Sequence, residues 1–369
     1  MKTTHKIIFG DSRNMQQIAD NSVDLIVTSP PYPMIEMWDS IFSKQNPAIA
    51  DALSNAEGDK AFELMHRELD KVWREVYRVL KEGGLACINI GDATRTIGGE
   101  FKLYTNHYRI LQYCLKLGFN ALPEILWRKQ TNAPNKFMGS GMLPVGAYVT
   151  LEHEHILILR KGSRRKFNDA ADKSRRLKSA FFWEERNLWF SDVWDDLKGI
   201  RQNNIDKGIR ERSGAYPFEL PYRLINMFSV KGDTVLDPFL GTGTTTLAAM
   251  AAGRNSIGLE VDSNFKEHIF LRTKGLVGFA NELIENRLRR HVEFIKERVE
   301  SKGALKYINK YYGFPVMTSQ ETEIIFDEPS KVRIIDYCLF EVEYKEKPSW
   351  FWKNGTIENK EHTSLIEWT

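Results

Sequence analysis

The stretch Val23-Asp24-Leu25-Ile26-Val27-Thr28-Ser29-Pro30-Pro31-Tyr32 decides how the rest of this 369-residue chain is read. Its opening residues are mostly apolar and β-branched, the signature of a buried strand. Two consecutive prolines end it, because neither can donate to a ladder. The product is a stiff turn at the carboxyl end of a strand, where open α/β sheets hold their ligands. That turn displays a hydroxyl (Ser29), a carbonyl (Pro30) and an aromatic face (Tyr32).

Working outward, Lys6–Phe9 reads as a strand ending at Gly10-Asp11, and Ser12–Asp20 as a helix before the central strand. Residues 33–60 read as irregular. From Ala61 to Lys81 apolar residues recur at helical spacing (Phe62, Met65, Leu69, Val72, Trp73, Val76, Leu80) and stop at Gly83-Gly84, a C-terminal signal. Leu85–Ile90 is a strand, and a helix from Tyr104 to Leu117 ends at Gly118. Strands near Glu124–Trp127 and Glu154–Leu159 flank a Gly-, Pro- and Asn-rich loop, Asn132–Gly146, long enough for function. Alternation of strands and helices predicts a mainly parallel sheet, and the adjacent strand pair an antiparallel edge.

A second unit lies two hundred residues on, Thr234-Val235-Leu236-Asp237-Pro238-Phe239-Leu240-Gly241-Thr242-Gly243-Thr244, opening a small-residue helix to Ala252. The strand Ser256–Asp262 follows and carries Glu260. Glycines let a backbone approach a ligand, and a helix N-terminus offers free N–H groups. A phosphate loop needs a lysine after its last glycine, where Thr244 stands; a dinucleotide site prefers a third glycine, where Thr246 stands. A nucleoside-type cofactor remains, its ribose held by the acid that ends the next strand. The bland alternative is a glycine turn that serves only helix–sheet packing.

Together, Thr28-Ser29-Pro30-Pro31-Tyr32 and Asp237–Thr245 resemble the amino-group DNA methyltransferases. The cofactor motif of that family, Asp-Pro-Phe-x-Gly-x-Gly-Thr-Thr, is matched throughout, and the Thr-Ser-Pro-Pro-Tyr form is similar to the cytosine-N4 branch. The order, with the catalytic motif first and the cofactor motif late, resembles the permuted β group. Coverage runs over about residues 6–162 and 215–275.

The resemblance implies a Rossmann-like class I α/β fold, circularly permuted, with a mostly parallel sheet and an antiparallel edge. Its implied parts are a catalytic half (1–162), a target-recognition region (163–214), a cofactor-binding half (215–278) and an α+β extension of unassigned role (279–369). S-adenosylmethionine would be the cofactor. Asp237, Pro238, Phe239, Gly241, Gly243 and Thr244 would surround its methionine portion, Glu260 its ribose and Asp11 its adenine. Ser29, Pro30, Pro31 and Tyr32 would form the catalytic base pocket.

The chemistry accounts for those residue types. An exocyclic amine is a poor nucleophile because its lone pair is delocalised into the ring. Two acceptors on its hydrogens, Ser29 Oγ and the Pro30 carbonyl, would favour a pyramidal nitrogen, which is positioning and not covalent catalysis. The base must first leave the duplex, and Tyr32 suits stacking on it. Carbon-5 methylation would need a cysteine, usually after proline, and none of Cys87, Cys114 and Cys338 follows one.

Composition agrees with this reading: 42% hydrophobic and 27% charged residues are typical of soluble globular chains. No apolar run approaches a membrane span, the start is not a signal peptide, and three scattered cysteines suit a reducing compartment. The expected setting is a prokaryotic cytoplasm, at the nucleoid. A net charge of +3 means that DNA contact must rest on local charge. Arg164, Arg165, Lys166, Arg175 and Arg176 in the basic run, and Arg201, Arg210 and Arg212 beyond it, are the expected DNA-binding residues. Trp183, Trp189 and Trp194 read as packing residues. His153 and His155 share one side of a strand, but with no third ligand evident no metal is expected.

The functional expectation is a site-specific methyltransferase acting on cytosine N4 in double-stranded DNA, with a companion restriction endonuclease as a candidate partner and no membrane partner. Adenine N6 is the nearest alternative target. A DNA-binding protein that keeps the fold without the chemistry is a second alternative.

Overall fold

The computed structural model describes residues 1–129, 138–198 and 216–360. Ten strands form one sheet: β1 (Lys2–Phe9), β2 (Val23–Thr28), β3 (Leu80–Ile90), β4 (Phe119–Arg128), β5 (His153–Lys161), β6 (Val193–Trp194), β7 (Thr234–Asp237), β8 (Asn255–Glu260), β9 (Pro329–Asp336) and β10 (Leu339–Tyr344). Their spatial order is β6-β4-β5-β3-β2-β7-β8-β1-β10-β9. The five central strands, β3-β2-β7-β8-β1, are mutually parallel, and β5 returns antiparallel between β3 and β4. Helices α1 (Asp39–Gln45), α2 (Ala48–Ser54), α3 (Gly58–Val79), α4 (Asn106–Leu117), α5 (Ala170–Lys178), α6 (Trp183–Trp189), α7 (Glu219–Phe228), α8 (Thr244–Ala251), α9 (Phe265–Lys274) and α10 (Leu276–Lys302) complete the frame. The sheet is the Rossmann-like α/β architecture expected.

Period-2 alternation sorts the central strands into two cores. Leu25, Val27 and Cys87 face one, with α7 and α8; Ile26, Ala86, Ile88 and Ile90 face the other, with α3 and Cys114 of α4. All six residues of β2 are buried, as a strand covered on both faces must be.

Local reading fails where tertiary groups satisfy the backbone. Ser12–Asp20 is a run of turns, not a helix. Arg78 on α3 donates to the carbonyls of Met15 and Ile18, and Glu75 accepts from the Met15 amide. Helix α3 ends at Val79, so Gly83 and Gly84 lie inside β3. Its last carbonyls are met by the buried Lys161 ammonium at Tyr77 (2.7 Å) and by the backbone amides of Asn21 and Ser22 at Arg78 and Val79 (3.1 and 2.9 Å). Residues 33–60 are not irregular: two seven-residue helices, α1 and α2, bury Phe42, Ile49 and Ala52. Gly118 does cap α4, at φ 104°.

Two features alter the expected edges. The short strand β6 lies outside β4, so the β4–β5 pair is not the sheet's border. On the other side, the β9–β10 hairpin from the C-terminal region pairs β10 with β1, and the Tyr344 hydroxyl is joined to Thr3 at 2.9 Å. A third core unites Phe182 with Ile284, Leu288, Tyr312, Phe314 and Ile324. The first part of segment 163–214 thus packs with the C-terminal region. Of the tryptophans read as packing residues, Trp189 and Trp194 are buried and Trp183 is exposed.

Candidate active site

The carboxyl ends of the parallel strands lie along one edge of the sheet. They bring together Asp11 after β1, Ser29 after β2, Asn89 near the end of β3, Asp237 at the end of β7 and Glu260 at the end of β8.

At the glycine turn, Gly241 and Gly243 adopt φ of 53° and 82°, the left-handed region that a side chain resists. A Cβ on Gly241 or on Gly10 would meet nothing within 4 Å, so the turn after β7 and the end of β1 border open space. The Glu260 carboxylate accepts from the amides of Gly241 at 2.7 Å and Asp262 at 2.9 Å. Burial raises its pKa above the ordinary carboxylate value. Asp11 is gripped by Arg13, whose Nε lies 2.9 Å from Oδ2. Burial opposes ionisation of Asp11, but the Arg13 bonds hold its carboxyl below the usual value.

Asp237 does not border the open space. It is 2% exposed, and four donors meet it: Thr28 Oγ1 and Thr245 Oγ1 at 2.6 Å, the Phe239 amide at 3.0 Å and the Tyr216 hydroxyl at 3.3 Å. This carboxylate ties the strand that ends in Thr28-Ser29 to the first turn of α8. Pro238 and Phe239 continue the turn, and Phe239 packs edge-on against Trp73.

At the Pro-Pro turn, a chain of polar groups leads away from Ser29. Its Oγ lies 3.1 Å from the Tyr32 hydroxyl, which donates to Glu154 Oε2 at 2.9 Å. Asn89 Nδ2 donates to both, at 2.9 Å to Tyr32 and 2.7 Å to Glu154, and Lys129 Nζ lies 2.8 Å from Glu154 Oε1. Burial, reinforced by the Glu154 charge, drives the Tyr32 phenol well above its ordinary pKa, so it stays protonated. Sequence reasoning missed Asn89, Lys129, Glu154 and Tyr216. An asparagine inside the apolar run Cys87-Ile88-Asn89-Ile90 was a legible signal; Glu154 reads as an ordinary strand residue until β5 is laid beside β3.

The comparisons with known proteins fall on this geometry. Residues 23–271 match the family model described as DNA methylase, of the N6/N4 methyltransferases, a span that holds both motifs. The chain belongs to the DNA methylase family. This methylase is 52% identical over 347 residues to the type II methyltransferase M.MthZI of Methanothermobacter thermautotrophicus, covering 94% of this chain and 96% of that protein. It is also 52% identical over 275 residues to the type II methyltransferase M.MjaI of Methanocaldococcus jannaschii, covering 72% and 89%. Among solved structures, a putative DNA modification methylase from Thermus thermophilus, complexed with S-adenosyl-L-methionine, superposes with a TM-score of 0.57 at 32% identity. That likeness covers 73% of this chain and 92% of the other.

The basic run of the methylase lies elsewhere. Strand β5 runs away from the site, so Arg164, Arg165 and Lys166 follow its far end. A Cβ on Gly83 would meet the Arg165 backbone at 2.7 Å, about 20 Å down β3 from Asn89 at ~3.3 Å per residue. Arg165 pairs with Asp233 at 2.6 Å and lies 3.6 Å from Asp24. Arg164 and Lys166 are exposed. Arg175 pairs with Asp172, and Arg176 lies over the Phe167 ring. Arg201, Arg210 and Arg212 fall outside the described residues. The residues flanking them return to the catalytic edge, Leu197 at the Trp127 indole and Tyr216 at Asp237.

Ligand-type atoms of Asp92, His107 and His155 lie within 4.8 Å of one another. The His107 and His155 rings stack at 3.8 Å and 9°, and His107 Nδ1 is held by both Asp92 oxygens at 2.9 Å. Parallel rings so placed leave no point in both ring planes for one ion. The hydrogen bond that His107 donates to Asp92 raises the His107 pKa, and burial followed by the His107 charge lowers that of His155.

Proposed function

We propose that this chain is a site-specific DNA methyltransferase that moves a methyl group from S-adenosylmethionine to the N4 amine of a flipped-out cytosine. The observation that carries the reading is Ser29, a neutral hydroxyl at the end of β2, held 3.1 Å from the Tyr32 hydroxyl and tied through Thr28 to the cofactor motif at Asp237. The bound cofactor supplies an activated methyl group on a sulfonium.

The chain's own residues do the rest. The open space bordered by Gly10 and Gly241, with Glu260 and Asp11 at its strand ends, fits a nucleoside with an attached amino acid. Glu260 would take the ribose hydroxyls, and Gly241 and Gly243 would let the backbone approach the methionine portion. Ser29 Oγ and the Pro30 carbonyl would hold the two amine hydrogens and aim the nitrogen lone pair at the methyl group. Tyr32, fixed by Asn89 and Glu154, would offer its ring to the extruded base. The identity with type II methyltransferases supports a restriction–modification role, with a nuclease of matching specificity as partner. DNA contact is proposed for Arg201, Arg210 and Arg212.

Methylation of mixed DNA with methyl-labelled cofactor, followed by nucleoside analysis, tests this. Label in N4-methylcytosine is the expected result. Label in N6-methyladenine would move the target to the adenine amine, and a chain that binds cofactor yet labels nothing would be the non-catalytic reading.

A further inference from the structure

The direction of the hydrogen bonds behind Ser29 carries a consequence for the reaction. Tyr32 has one hydroxyl proton, and a carboxylate cannot donate, so that proton goes to Glu154 Oε2 at 2.9 Å. The Tyr32 oxygen then has only acceptor capacity left for Ser29, 3.1 Å away, and Ser29 must donate to it. With its one proton committed to Tyr32, Ser29 Oγ has only acceptor capacity left to offer. Asn89 reinforces this order by donating to the Tyr32 oxygen and to Glu154. The pair is also held sterically. A Cβ on Gly91 would lie 2.9 Å from Tyr32 Cε2 and 3.4 Å from Glu154 Cγ, so only glycine admits the ring there.

Transfer of a methyl group to a neutral amine breaks the S–CH3 bond, leaves its electron pair on sulfur and forms N–CH3. The nitrogen then carries a surplus proton. Neither Ser29 nor Tyr32 can keep it, since a protonated hydroxyl is a strong acid. The carboxylate joined to them is Glu154, whereas Asp237 is bonded to Thr28, Phe239, Thr245 and Tyr216.

We propose that Glu154 is the positioning residue that sets the polarity of this hydroxyl chain, and is the terminus of the proton released by the target amine. In one shift the amine proton passes to Ser29 Oγ, the Ser29 proton to the Tyr32 oxygen and the Tyr32 proton to Glu154 Oε2. Each hydroxyl ends neutral, and the carboxylate becomes a carboxylic acid. The inference rests on Ser29 contacting the amine, as the proposed function has it.

The test is Glu154→Gln in the full chain, with Tyr32→Phe as a second variant that keeps the ring and breaks the link. Single-turnover methyl transfer is followed in H2O and in D2O on preformed complexes with cofactor and DNA, and cofactor affinity is measured separately by calorimetry. Expected are cofactor affinities near wild type and transfer slowed by about 10²–10⁴, the usual range for a lost acid–base group. The wild-type rate should show a solvent deuterium isotope effect, because three protons move together, and that effect should vanish in both variants. Should Glu154→Gln lose its fold or its cofactor, Tyr32→Phe decides alone. Wild-type rate and isotope effect in a folded variant would overturn the relay. Ser29→Ala tells the two levels apart: slow Ser29→Ala beside normal Glu154→Gln sinks the relay only, whereas full rate in Ser29→Ala sinks the base-pocket reading beneath it.

Discussion

Thr28→Val is the sharpest probe of how the two motifs are joined. Thr28 is 1% exposed, and valine keeps its β-branched shape while deleting the hydroxyl that donates to Asp237 at 2.6 Å. Of that carboxylate's donors, Thr245, Phe239 and Tyr216 remain. A hydrogen bond to a buried charge contributes about 1.5–3 kcal/mol, or roughly one to two powers of ten in the folding equilibrium. The sign of the pH effect follows from burial, which raises the Asp237 pKa above its ordinary value. The folded state thus holds this proton more tightly than the unfolded chain, and stability falls as pH rises through the window between the two values. Losing the Thr28 bond removes support for the charged form and moves the upper limit of that window further up. The variant's deficit should be largest at neutral pH and shrink on acidification. Urea denaturation of both proteins at several pH values measures it. An unchanged stability at neutral pH would refute the bond's contribution, and a deficit independent of pH would locate the loss in packing instead of in the carboxylate. Because Ser29 follows Thr28, the transfer rate should also drop while cofactor affinity holds.

Other expectations follow from the same contacts. Glu260→Ala should weaken S-adenosylmethionine binding by about 1.5–3 kcal/mol per lost bond, and calorimetry showing unchanged affinity in a folded variant would remove Glu260 from the site. Arg165→Ala should destabilise the fold through Asp233, whereas Arg164→Ala with Lys166→Ala should leave the denaturation midpoint unmoved; equal midpoints for all three would void the ion pair. Changes at Arg201, Arg210 and Arg212 should alter discrimination between DNA sites, scored by methylation of competing sequences, and retained discrimination would place base reading elsewhere. The buried His5 and His66, both held neutral with pKa lowered to about 3, predict acid lability. Their folded values lie below the unfolded value of 6.5, so their contribution is complete above that pH and is lost as pH falls towards 3. From pH 6.5 to 5 each should cost about 2 kcal/mol, at ~1.36 kcal/mol per pH unit and proton; a combined urea-measured loss under about 1 kcal/mol would contradict it.

The sequence by itself determined the two ligand-bearing turns. Proline and glycine act on their own backbone, so Ser29–Tyr32 and Gly241–Gly243 announce a strand's end and a left-handed turn wherever the sheet lies. The continuous apolar run Leu25-Ile26-Val27, buried on both faces, is local in the same way. Only the tertiary structure decided what stands behind those turns. Glu154 reaches Tyr32 because β5 returns antiparallel beside β3, a pairing 65 residues apart between Asn89 and Glu154 that no local pattern contains. The same return carries the basic run to the opposite end of the sheet, where Asp233 and Asp24 engage Arg165. The last carbonyls of helix α3 are met by Lys161 from β5 and by the amides of Asn21 and Ser22, and the turns of Ser12–Asp20 are satisfied by Arg78. In each case a distant side chain meets a backbone or hydroxyl group that local rules assign to a helix, a cap or solvent. Propensity has no knowledge of partners brought close only by strand order.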